Sequence, residues 1–157
     1  MAELRVRLAR AALPPILLSL CWVVALEGGC ASSDGEAGGG ATSTAAAGDA
    51  ALAEAYAERA HDLRVEGQGT VDRVLKDDTE GGRHQRFIVR LASGQTLLIA
   101  HNIDVAPRVA DLHGGDAVAF RGVYEWSEEG GSVHWTHDDP EGQREPGWIR
   151  HDGRTYE

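Results

Sequence analysis

The chain has 157 residues, a formal net charge of −10 and two cysteines. This length accommodates one domain. The negative charge makes nucleic-acid binding unlikely, because affinity for phosphates depends on cationic contacts. Cys21 and Cys30 both belong to the N-terminal segment, so the remainder of the chain can form neither a disulfide nor a thiolate metal site.

The N-terminal segment, residues 1–30, has the order of an export signal: arginines, an apolar run and then small residues. Cys30 follows two glycines, as the lipid-modified cysteine of a bacterial lipoprotein does. Glu27 departs from that pattern, and cleavage after Ala31 to give a soluble secreted form is the alternative. A permanent membrane span is disfavoured, because two prolines interrupt a run shorter than about 20 residues. We expect an exported protein, anchored in the cell envelope through a lipid on Cys30 or soluble in the periplasm.

Residues 31–49 consist mainly of Gly, Ala, Ser and Thr, and this composition predicts a disordered linker. Residues 50–63 are rich in helix formers, with Asp49 as a candidate cap and with Leu52 and Leu63 able to share one face. We expect one short helix that packs on the domain.

After residue 63, apolar and polar residues alternate with a period of two, which predicts β-strands. Phe87, Val89 and Leu91 share one face of the second strand. A break in the alternation over residues 107–112 predicts a short helix, and Asp152 with a following glycine predicts a hairpin turn. The predicted strands lie in GQGTVDRVL, RHQRFIVRL, QTLLIAH, AVAFRGVYEW and SVHWTH, followed by the hairpin GWIRHDGRTYE.

Three strands, a short helix and two further strands is the order of the OB-fold, a five-stranded partly open barrel. Gly122 in the fourth strand is where a barrel strand would bend. We therefore predict a mainly β protein with an OB-like barrel of five to six strands over residues 64–157. One short helix is expected between strands three and four, and another precedes the barrel. Other small barrels and a sandwich share these signals.

The segment HWTHDD, at the end of the fifth strand, places two histidines and two aspartates within six residues. His134, His137, Asp138 and Asp139 could supply ligands to a divalent transition metal ion. Residues three apart in a strand point to opposite faces, so the histidines converge only if the strand ends near Trp135 and the chain curls. The alternative, which we favour, is a polar strand end whose histidines donate to backbone carbonyls and carboxylates.

Two further candidate sites lie at strand ends. His84 and Arg86 share a face of the second strand, where an imidazole near guanidiniums suits an anion contact. Pairing of the arginine with acids is the alternative, which we favour. His101 and Asn102 end the third strand, and Asn102 could instead cap the following turn. Because antiparallel strands bring the start of one beside the end of the next, we expect His84 and His101 at the same end of the barrel.

Several segments, in order, resemble a family of small bacterial exported proteins, domain of unknown function 3465. The resemblance covers about residues 52–157 and implies no reaction. Asp138 and Arg144 stand where the family tends to have histidines. The segments that carry it are GTVDRVLKDD, RHQRFIVRL, TLLIAHNID, APRV, GVYEW, HWTHDDP and GWIRHDG.

We expect a binding module, because the chain has no recognised nucleophile triad, phosphate loop or full metal motif. A patch of His, Arg and Trp, with Trp135 as a stacking platform, would recognise a small anion, a glycan or an envelope protein. The alternative is a metal-assisted hydrolase, a nuclease-like OB barrel with a His/Asp metal site. A purely structural envelope protein is the third hypothesis.

Overall fold

The computed structural model describes residues 39–157. The predicted export signal, Cys30 and residues 31–38 of the predicted linker lie outside the described residues. This part of the chain contains no helix long and apolar enough to cross a membrane. The elements are α1 (Gly39–Ala57), β1 (Leu63–Val74), β2 (His84–Arg90), β3 (Thr96–Asn102), β4 (Ala117–Glu125), β5 (Ser132–His134), β6 (Trp148–His151) and β7 (Arg154–Tyr156).

The helix α1 begins at Gly39, earlier than expected, so residues 39–49 are helical where a disordered linker was predicted. Alanine, the strongest helix former, is frequent in this stretch and favours the longer helix. Asp49 lies inside α1 and does not cap it. Its carboxylate accepts a hydrogen bond from the backbone N–H of Ser93 at 3.0 Å, which ties the helix to the barrel.

The end of α1 also differs from the prediction, because the helix stops at Ala57. Arg59 has a φ of 54°, a left-handed conformation that cannot continue a right-handed helix. The N–H of Ala60 then bonds to the carbonyl oxygen of Ala55 at 2.9 Å, in the manner of a C-terminal helix cap. Leu63 consequently belongs to β1, where its side chain is exposed, rather than to a helix face shared with buried Leu52.

Five strands close into the predicted OB-like barrel, in the order β1-β2-β3-β5-β4, with β4 pairing back to β1. β1 closes the barrel because residues 63–70 pair with β4 and residues 70–74 pair with β2. A bulge between Val71 and Arg73 separates these two halves and lets the strand bend. β3 and β5 are parallel, and all other pairings among the five strands are antiparallel.

The β6–β7 hairpin extends the sheet from β4. Its turn lies at Asp152-Gly153, as predicted, and both residues have positive φ, 47° and 70°. Two left-handed residues in succession form the turn that best matches the twist of a hairpin. The barrel core is apolar: Phe87 and Val89 of β2 and Leu91 directly after it are buried, together with the inward-facing residues of β4.

No helix forms between β3 and β4; the described segment is a series of turns. The buried side chain of Gln85 bonds to both backbone groups of Val109, accepting from its N–H at 2.9 Å and donating to its carbonyl at 3.1 Å. A buried amide that satisfies the backbone in this way removes the need for helical hydrogen bonds. The segment still covers the barrel core, because Val109 and Leu112 are buried.

Candidate functional site

The strand register brings most of the predicted site residues to one end of the barrel. His84, the first residue of β2, lies opposite Asn102, the last residue of β3. The parallel pairing of β3 with β5 directs His134, the last residue of β5, to the same end. A cleft of about 680 Å³ opens there, which we call the rim cleft. Its walls include His84, Asn102, His134, Trp135, His137 and Asp139.

The chain curls directly after β5, which is the condition for His134 and His137 to converge. β5 ends at His134, and Trp135 has a φ of 55°, unusual for a bulky residue. The loop then returns to the barrel, where the N–H of Gly147 bonds to the carbonyl oxygen of His137 at 2.8 Å. A Cβ at Gly147 would lie 2.0 Å from the carbonyl oxygen of Trp135, so only glycine fits this close approach.

Asp139 organises this loop through its carboxylate. It accepts three backbone N–H groups, from Glu141 at 3.0 Å, Gln143 at 2.6 Å and Arg144 at 2.7 Å. These donors lower the pKa of Asp139 below its ordinary value, and the N–H of Glu141 has the largest effect. Because both carboxylate oxygens are engaged, Asp139 shapes the cleft wall and has little capacity left for a ligand.

Two histidines of the rim cleft have their tautomer set by the backbone. Nδ1 of His84 is 3.2 Å from the carbonyl oxygen of Gly82, and Nδ1 of His137 is 2.6 Å from that of Asp138. A carbonyl oxygen only accepts, so Nδ1 carries the hydrogen in both rings. When either imidazole is neutral, its Nε2 is a bare acceptor, and within residues 39–157 neither Nε2 has a hydrogen-bond partner.

His101 lies behind the rim cleft and not on its surface. It is fully buried, and both ring nitrogens are occupied: Nε2 donates to the carbonyl oxygen of Pro107 at 3.0 Å, and Nδ1 accepts from the hydroxyl of Thr136 at 2.9 Å. Burial is the main cause that lowers the pKa of His101, and it outweighs these hydrogen bonds. The neutral imidazole therefore joins the β3–β4 segment to the loop after β5 and has no nitrogen free for a ligand.

Two other predicted site residues do not line the rim cleft. The guanidinium of Arg86 donates twice to the carbonyl oxygen of Lys76 and lies 3.5 Å from the carboxylate of Asp78. Arg86 thus stabilises the connection between β1 and β2. This contact agrees with the expectation that the arginine pairs with an acidic residue. Asp138 is exposed, and its backbone carbonyl, not its carboxylate, contacts His137.

Trp135 is half-buried in the cleft wall and already has ring neighbours. The imidazole of His137 lies 5.0 Å from its ring centroid, and the guanidinium of Arg144 lies 5.1 Å away as a cation–π contact. Its indole N–H is buried and has no acceptor among the described residues. The indole ring predicted to stack on a ligand is therefore already packed against protein side chains. The left-handed backbone of Trp135 adds local strain.

Arg144 is a residue of the rim cleft that sequence reasoning did not assign to the site. Its only ion pair within the described chain is a 3.7 Å contact with the exposed carboxylate of Asp62. Arg144 departs from the histidine that the resemblance expects at this position, and that departure was the one feature that singled it out in the sequence.

The four predicted metal ligands are not gathered around one point. Among residues 39–157, no three His, Cys, Asp or Glu side chains are placed to hold a metal ion. His134, which does line the cleft, has its Nε2 3.8 Å from the carboxylate of Glu125. The metal-assisted hydrolase stays a prediction, and no contact in the described residues adds support to it.

A family model described as a protein of unknown function (DUF3465) matches residues 39–157. The chain belongs to this family. A search of curated proteins found no match. The family match covers α1, the barrel and every residue of the rim cleft.

Proposed function

We propose that this DUF3465 protein is a non-enzymatic binding module whose rim cleft holds a small anion. The proposal rests on one observation: polar side chains from β2, β3, β5 and the following loop converge on one cleft. Such convergence of polar groups from separate elements is the usual form of a small-ligand site.

The charge distribution supports an anion. The chain as a whole carries a formal charge of −10, yet Arg144 lines the cleft, and its one ion pair among residues 39–157 is the 3.7 Å contact with exposed Asp62. Of the two carboxylates that line the cleft, Asp139 is bonded to three N–H groups, and Glu141 accepts from the side chain of Gln143 at 3.0 Å. Neutral donors thus already occupy both carboxylates, and Arg144 provides a charged donor for an oxyanion.

The test is calorimetric titration of the full chain with inorganic phosphate at low ionic strength. Binding should be saturable, and Arg144→Gln should weaken it by at least about tenfold, since hydrogen bonds to charged groups contribute about 1.5–3 kcal/mol. Arg73→Gln is the matched control, because Arg73 is an exposed arginine on β1 outside the rim cleft and should leave binding unchanged. Equal losses in both variants would mean that only general electrostatic attraction is being measured.

We further propose that the protein lies outside the cytoplasm, anchored in the cell envelope by a lipid on Cys30. The export-type order of residues 1–30 supports this location. Metabolic labelling with a fatty-acid analogue should label the wild type and not Cys30→Ser. Export without label in the wild type would favour the soluble periplasmic form.

A further inference from the structure

The rim cleft offers a ligand two bare acceptors. Nε2 of His84 and Nε2 of His137 have no hydrogen-bond partner within residues 39–157. The backbone carbonyls of Gly82 and Asp138 fix the hydrogen on Nδ1 of each ring, so each Nε2 is an acceptor. A neutral imidazole in this state accepts a hydrogen bond and cannot donate one from Nε2. A ligand that fills the cleft therefore forms a hydrogen bond with either Nε2 only if the ligand supplies the donor.

The wall of the same cleft also carries hydrogen-bond donors. The side-chain oxygen of Asn102 accepts the N–H of Asp104 at 2.9 Å, which leaves the amide NH₂ of Asn102 for a ligand. The guanidinium of Arg144 is the second donor. Donors of this kind select an oxyanion, and the bare imidazole nitrogens select a hydrogen-bond donor.

Building on the proposed function, we infer that the ligand of the rim cleft is an oxyanion that bears a hydroxyl group, such as hydrogen phosphate or a hydroxycarboxylate. The oxyanion accepts from Arg144 and Asn102, and the hydroxyl donates to Nε2 of His84 or His137. An anion without a hydroxyl places its oxygens against the imidazole lone pairs. The repulsion between these lone pairs weakens its binding.

Two matched pairs of anions, compared at about pH 8, isolate the contribution of the hydroxyl group. Sulfate and hydrogen phosphate are a matched pair at this pH, because both are tetrahedral dianions and only hydrogen phosphate has a hydroxyl. Propionate and lactate are the matched carboxylates, since lactate differs by one added hydroxyl.

The experiment is calorimetric titration of the full chain with these four anions at about pH 8. The inference predicts that the hydroxyl-bearing member of at least one pair binds at least about tenfold more tightly than its partner. The pair that shows the preference identifies the ligand as a phosphate or a hydroxycarboxylate. Equal binding within both pairs, or preference for sulfate or propionate, overturns the inference while the proposed function stands. Failure of all four anions to bind overturns the proposed function itself.

A variant locates the preference in the cleft. His84→Phe keeps an aromatic ring and removes the acceptor, so it should reduce the preference for the hydroxyl-bearing anion at least several-fold. His113→Phe is the matched control, because His113 is exposed and lies outside the rim cleft. A preference that survives His84→Phe and a parallel His137→Phe unchanged overturns the assignment of these acceptors. Circular dichroism checks that each variant is folded. If a variant does not fold, the comparison of the four anions on the wild-type protein still tests the inference.

Discussion

The hydrogen bond between Thr136 and His101 gives the most direct test of how the rim cleft is supported. Thr136→Val keeps the shape of the side chain and removes the hydroxyl that donates to Nδ1 of His101. Both residues are fully buried, so the imidazole nitrogen is left without a donor and without water. A buried acceptor that loses its partner costs about 1–3 kcal/mol, and this is the expected loss in the free energy of unfolding.

The assay is urea unfolding at about pH 8, followed by tryptophan fluorescence. Thr155→Val is the control, because Thr155 is an exposed threonine on β7 and should change stability by less than about 0.5 kcal/mol. The reasoning is refuted if the two variants have the same effect.

The pH dependence provides a second arm of this test. Burial lowers the pKa of His101 below the unfolded value of about 6.5, so the folded protein keeps the ring neutral where the unfolded chain takes up a proton. The stability associated with His101 is thus fully present above about pH 6.5 and decreases as the pH falls. His101→Leu should show a smaller decrease in unfolding free energy between about pH 7 and 5 than the wild type. Equal slopes would contradict the assignment of a neutral imidazole.

Three further predictions concern the loop after β5. Gly147→Ala should lower the free energy of unfolding by about 1–3 kcal/mol in urea unfolding, because its Cβ meets backbone atoms that cannot turn aside; a change within error would show that the loop can relax. Asp139 has a lowered folded-state pKa, so its contribution is present above about pH 4 and is lost on acidification; in acid unfolding, Asp139→Asn should be less pH-sensitive than the wild type, and identical profiles would contradict this. Elemental analysis of untagged protein should find substoichiometric transition metal; stoichiometric metal that disappears in His137→Ala would instead support the hydrolase.

The sequence predicted the barrel because its evidence was periodic and local. Alternation placed Phe87, Val89 and Leu91 on one face, and the structure buries all three. Asp152-Gly153 formed the expected turn because few residue pairs tolerate two left-handed conformations in succession. These features depend on near neighbours in the chain, so one sequence is enough to predict them.

The errors arose where a distant side chain replaced a local interaction. Gln85 on β2 satisfies the backbone of Val109 and removes the predicted helix, a pairing that no local pattern announces. His101 was a candidate site residue at the end of the third strand, but Thr136 and Pro107 supply partners that allow its complete burial. Position along a strand therefore predicted which end of the barrel a residue occupies, and not whether its side chain remained available.

The bond between Gly147 and His137 closes the loop that forms one wall of the rim cleft. The ends of the loop are fixed to each other, and the buried pair of His101 and Thr136 fixes its base to the barrel. Side chains between these two anchors can consequently change without altering the strands beneath them. A substitution in this loop can therefore change the lining of the rim cleft and leave the barrel core as it is.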